Sequence, residues 1–132
     1  MDEEPRQNII EQVSSLPFDD TLSRLEAAIT RAGMTIFCRI DHAANARDSG
    51  LSMPPTTVLI YGSPKGGTPI MLAAPAAALD LPLHVLVRER ANGTTVIAFH
   101  PIVDVLRDAG VPQEAAARLE PAQALLVKAV TS

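Results

Sequence analysis

Asp41 and His42 stand side by side where an alternating run gives way to the helix-prone Ala43-Ala44. A carboxylate beside an imidazole at a strand end can orient a ligand or exchange a proton, because histidine changes charge near neutral pH. An aspartate is also a preferred residue just ahead of a helix, where it accepts a hydrogen bond from a backbone N–H two or three residues on. Adjacent strand residues point to opposite faces, so the pair converges only if the backbone turns there. Capping is favoured for Asp41, while His42 is balanced between ligand contact and a packed polar role.

The second candidate segment is Gly62-Ser63-Pro64-Lys65-Gly66-Gly67-Thr68-Pro69. It is not a P-loop, which needs Gly, four residues and then Gly-Lys-Ser/Thr, because here the lysine precedes the glycine pair. Such a segment can still offer backbone N–H groups to an anion, with Lys65 and Thr68 assisting. The competing reading is a tight turn shaped by its glycines and prolines. The candidate ligand-contacting residues are therefore Asp41, His42, Gly62, Ser63, Pro64, Lys65, Gly67 and Thr68.

Other reactive side chains offer less. Cys38 sits in the alternating run with Met34, Ile36 and Ile40, the setting of a buried small hydrophobe, whereas a catalytic thiol needs an accessible electropositive one. His84, His100 and His42 could bind a metal only if the fold united them, and their spacing carries no metal signature. Neither a metal nor another cofactor is expected. The nucleophile elbow Gly-x-Ser-x-Gly is absent. Asn92-Gly93-Thr94 matches a glycosylation sequon but reads as turn chemistry.

The elements that must position these residues follow from periodicity. Residues 8–13 read as a first strand. Phe18, Leu22, Leu25 and Ile29 recur at helical spacing, with Pro17 and two aspartates at the start and Gly33 at the end, which predicts a helix over 17–32. Residues 34–41 alternate as a strand, and a short helix follows from 42 to 48. Pro54-Pro55 leads into a β-branched strand over 56–61, and a short helix near 70–78 follows, interrupted near Pro75. Asn92-Gly93 between the β-like runs 83–91 and 94–100 signals a hairpin. A two-residue loop there pairs Arg90 with Thr95, Arg88 with Ile97 and Leu86 with Phe99. The last third is helical, punctuated by Gly110, Pro112 and Pro121.

Composition bounds the function classes. The chain has 132 residues, net charge −4, one cysteine and 47% hydrophobic residues. That fits one packed domain, excludes an internal disulfide and argues against disorder. The lysines and arginines are scattered and aromatics are scarce, so nucleic acid is not an expected partner. The acidic start, Met1-Asp2-Glu3-Glu4-Pro5, lacks the pattern of a signal peptide, and no stretch has the length of a membrane span. The expectation is a cytoplasmic protein without a membrane partner.

Asp41-His42-Ala43-Ala44, Gly50-Leu51, Pro54-Pro55-Thr56, Tyr61-Gly62-Ser63-Pro64, Gly67-Thr68-Pro69, Met71 and Asp80-Leu81-Pro82 resemble, in order and spacing, the family called domain of unknown function 302. The likeness covers residues 18–101. Ser63 departs from it, since the family usually has asparagine there. The resemblance implies a two-layer α/β fold with a TATA-binding-protein-like topology, often dimeric, and implies no established activity.

The sequence thus predicts a single α+β domain, a two-layer sandwich with a largely antiparallel sheet and helices on one face. In the expected hairpin register both faces carry large apolar residues, and an apolar patch of that kind marks an interaction surface. The simplest closed solution is a homodimer. The leading functional expectation is a non-enzymatic module that binds a small molecule or a protein. The alternative is an enzyme using His42 as acid or base, oriented by Asp41.

Overall fold

The computed structural model describes residues 8–132. Helix α1 (Phe18–Arg31) forms where the apolar spacing requires, and Leu25 and Ile29 are fully buried by it. Asp19 and Asp20 lie in its first turn, where the helix dipole favours negative charge. The helix ends at Gly33, whose φ of +80° suits a residue without Cβ. It links two strands at opposite edges of one sheet, β1 (Ile10–Val13) and β2 (Thr35–Asp41). Between them lie β3 (Thr56–Gly62), β4 (Leu83–Glu89) and β5 (Thr95–Phe99), in the order β1-β5-β4-β3-β2. Every neighbouring pair is antiparallel.

The remaining helices are α2 (His42–Asp48), α3 (Pro64–Ala73), α4 (Ile102–Asp108), α5 (Gln113–Ala117) and α6 (Pro121–Thr131), with a 3-10 turn at Pro75–Leu79. One core joins α1 and α6 to a single sheet face through Leu25, Ile29, Leu59, Val85, Ile97 and Leu126, all fully buried. Tyr61 reaches through this core and donates from its hydroxyl to the Ala122 carbonyl at 2.9 Å. Burial pushes its phenol well above the ordinary tyrosine value, because the interior penalises the charged form. Gln123 of α6 accepts from the Ile102 N–H at 3.0 Å and donates to the His100 carbonyl at 2.8 Å. It supplies the start of α4 with the partner that Pro101 cannot, since no side chain of the cap residue does so.

Three local expectations are corrected. The hairpin closes through Ala91-Asn92-Gly93, with Arg90 N–H bonded to the Thr94 carbonyl. Of the turn residues only Gly93 has positive φ, and the Asn92 side chain accepts from Thr94 N–H at 3.0 Å. The loop is therefore three residues long and the register shifts by one, pairing Leu86 with Ala98 and Val87 with Ile97. Next, β2 does not alternate throughout. A bulge between Ile36 and Cys38 leaves Phe37 unpaired, so Ile36 packs on the core while Cys38 and Ile40 lie opposite Ile60 and Val58 on the other face. Cys38 is consequently exposed rather than buried.

Finally, the segment after Gly62 is helix, not loop. Pro64 occupies the first turn, where its missing N–H costs nothing, and Ser63 accepts from the Gly66 N–H as the cap. The helix runs to Ala73 through Pro69, earlier than the expected span near 70–78, and the part after Pro75 is the separate 3-10 turn.

Candidate functional site

The structure separates the two candidate segments. Asp41 pairs with Thr57 and Thr35 with Gly62, so the segments sit at opposite ends of the β2–β3 ladder. Five residues along β3 span about 17 Å at the usual rise per residue. Asp41 accepts from the Ala44 N–H at 2.9 Å, which makes it the cap of α2. His42, the next residue, is exposed and lines neither of the cavities described below.

At the other end, Gly62, Ser63, Pro64, Gly67 and Thr68 line one cavity of about 200 Å³. Lys65 is exposed and does not line it. The opposite wall is Phe37 of the β2 bulge, Leu81, Pro82 and Leu119, with Met71 of α3 alongside. The bulge therefore has a positional consequence, since it turns an aromatic ring toward the first turn of α3. The Leu81–Pro82 peptide is cis. Gly67 leaves room here: a Cβ on it would meet Leu81 Cδ1 and Met71 Cε at 3.8 Å, ordinary contact distance. No lining residue of this cavity titrates, and its polar side chains are the hydroxyls of Ser63 and Thr68. Such a surface can enclose an apolar body and offer it one or two hydrogen bonds, but it carries no acid or base.

A larger cavity, about 340 Å³, opens on the sheet face that α1 and α6 leave uncovered. Val58, Leu86 and Ala98 form its sheet wall, Leu79, Asp80 and Pro82 close one side, and His84 and His100 line it. Sequence reasoning weighed these histidines only as part of a three-histidine set, and the fold keeps His42 away from them. The signal that could have found them is the hairpin register: with a three-residue loop, both lie two residues beyond the last pair, Leu86 and Ala98. Among the described residues, no group of three His, Cys, Asp or Glu side chains could hold a metal ion.

These features define a two-layer α+β domain with cavities at one end of the sheet and on its open face. The chain belongs to the family "Domain of unknown function DUF302", whose model matches residues 10–130. A solved structure described as an uncharacterized conserved protein DUF302 from Bacillus stearothermophilus superposes with a TM-score of 0.85 at 20% identity. The match covers 95% of this chain and 99% of that one. At that identity the likeness establishes the fold.

The chain is also 39% identical over 74 residues to fluoride-specific ion channel FluC 1 of Brucella suis biovar 1, covering 56% of this chain and 29% of the channel. The corresponding figures for FluC 1 of Brucella abortus biovar 1 are 39% identity, 56% and 27%. This chain thus matches less than a third of each channel, and no helix among its described residues is long and apolar enough to cross a membrane.

Proposed function

We propose that this chain is a binding module without a catalytic centre, and that its ligand is a small, largely apolar molecule held between the β2 bulge and the start of α3. The observation that carries this reading is the cavity of about 200 Å³, which gathers Gly62, Ser63, Pro64, Gly67 and Thr68 and contains no titratable side chain. Acid–base chemistry needs a group that can take or give a proton within reach of the substrate, and His42 is at the other end of β3. A thermal-shift screen of metabolites tests the proposal, because a ligand of the native state raises the melting temperature. A hit is expected to be lost in Gly67→Val, whose side chain fills the cavity, and to survive in His42→Ala. A hit that binds Gly67→Val as tightly as wild type sinks this site.

The likeness to fluoride channels supports a more specific role, an accessory module working beside a fluoride channel, with the channel as partner. Fluoride efflux from liposomes bearing such a channel is expected to change when the purified chain is added. Unchanged efflux across micromolar concentrations would remove this reading. We further propose that the chain acts in the cytoplasm as a homodimer, joined through the open sheet face, where Val58, Ile60 and Leu86 are only half-buried. Leu86→Lys is expected to convert a dimer to a monomer in sedimentation equilibrium, and a wild-type monomer at tens of micromolar would refute the assembly.

A further inference from the structure

We propose that His84 and His100 form a seat for a divalent transition-metal ion of the Zn²⁺, Ni²⁺ and Cu²⁺ group, at the rim of the larger cavity. The inference stands on the open sheet face and does not depend on the ligand site beside α3. The β4–β5 register pairs Leu86 with Ala98. That ladder ends there; His84 in β4 and His100, just past the end of β5, each lie two residues beyond the last pair, and both line the cavity. Side chains directly opposed on antiparallel strands begin about 5 Å apart, and these two flank the end of such a ladder. From there two imidazole nitrogens can each approach one ion to about 2.1 Å.

The second observation is how His100 is held. Its Nδ1 lies 3.1 Å from the Asn8 carbonyl oxygen. A carbonyl only accepts, so this contact requires a proton on Nδ1, and in the neutral ring that leaves the Nε2 lone pair for a metal. A backbone carbonyl on one ring nitrogen is the usual support of a metal-ligating histidine, fixing its tautomer and orientation. Both imidazoles are exposed, so neither is committed to packing in the core. Imidazole suits Zn²⁺, Ni²⁺ and Cu²⁺ and is a poor match for Mg²⁺ or Ca²⁺. With two protein ligands, the remaining coordination positions fall to water or to a molecule in the cavity, where Asp80 also lies on the wall. A site of that kind exchanges ligands and is distinct from the closed four-ligand sites that hold structural zinc.

The chain has three histidines, which makes the test compact. Ni²⁺, Zn²⁺ and Cu²⁺ are each titrated calorimetrically into wild type, His84→Ala, His100→Ala, His42→Ala and Cys38→Ser. The expected result is one ion per chain in wild type and an affinity lower by about tenfold or more in either of the first two variants, at least the loss that follows removal of a ligand's supporting partner. His42→Ala and Cys38→Ser are expected to bind as wild type does. The proposal is overturned if His84→Ala and His100→Ala both retain wild-type affinity, or if His42→Ala or Cys38→Ser abolishes binding. It is also overturned if wild type binds none of the three ions more tightly than the His84→Ala/His100→Ala double variant. Metal-free melting curves of each variant establish that folding is unchanged.

Discussion

Gln123 offers the sharpest test of how the helical layer is attached to the sheet. Its side chain is 5% exposed and makes two hydrogen bonds to backbone groups, the Ile102 N–H at 3.0 Å and the His100 carbonyl at 2.8 Å. Gln123→Met keeps the length and shape of the side chain while removing both bonds. A backbone group left buried without a partner costs about 1–3 kcal/mol. Two such groups set an upper range near 6 kcal/mol, but Gln123 also lines the larger cavity, through which water can reach part of the site. The methionine additionally places apolar atoms in the core, which offsets some of the loss. The net expectation is a destabilisation of about 2 kcal/mol, or roughly 8 °C in melting temperature for a domain of this size. Urea unfolding followed by circular dichroism measures it directly, with an unchanged slope showing that the same surface is exposed. A variant within about 0.5 kcal/mol of wild type, the range of an ordinary surface change, would refute the bridging role.

Asp41→Ala is expected to cost about 1 kcal/mol by removing the cap of α2, while Asp41→Asn is nearly neutral, and equilibrium unfolding separates the two. Tyr61 titrates higher folded than unfolded, so its contribution to stability is constant below the unfolded value near 10 and falls as pH rises beyond it, because only the unfolded chain then readily loses the proton. Tyr61→Phe is expected to be less stable at neutral pH by about 1 kcal/mol, through the unpaired Ala122 carbonyl. It should also lose stability less steeply above pH 10, and equal slopes in wild type and variant would remove the desolvation argument. Thr95→Val is expected to be neutral or stabilising by up to about 1 kcal/mol, since the buried Thr95 hydroxyl has no partner among the described residues; a loss of stability would show that it has one.

The fold was legible where one physical demand dominated. α1 has apolar residues at helical spacing, a proline entry and a glycine exit, all pointing the same way, and its observed span differs from the expected one by a residue at each end. All five expected strands occur in one antiparallel sheet. The segment after Gly62 misled because Gly and Pro are read as breakers, yet at a helix start they are tolerated or favoured. Ser63 and Pro64 announce a cap and a first turn as clearly as Pro17 and Asp19 do. The separation of the two candidate segments was not legible, because it depends on which ends of β2 and β3 meet. Asp41-His42 and Gly62-Ser63 each occupy the C-terminal end of their own strand, and antiparallel pairing sends those ends in opposite directions.

The hairpin shows how much rests on one residue of loop length. A shift of one in register exchanges the faces of every cross-strand pair. In the two-residue reading, Leu86 stands with Ile97 and Phe99, and large apolar residues are spread over both faces. In the observed register Val85, Val87, Ile97 and Phe99 collect on the helix-covered face, all at 6% exposure or less. The other face keeps Leu86, with Val96 and Ala98 buried beneath their neighbours, now interleaved with His84, Arg88, Arg90 and His100, and Glu11 of β1 pairs there with Arg88 at 3.5 Å. The apolar area behind the dimer proposal is therefore narrower than the sequence implied, centred on Val58, Ile60 and Leu86 and bordered by charge. An interface with an apolar centre and a polar rim has that arrangement. Leu86→Lys places its charge in the apolar centre, whereas Arg90→Ala touches only the rim. Assembly through this face requires the first substitution to abolish dimers and the second to leave them nearly intact, and equal effects would place the contact elsewhere.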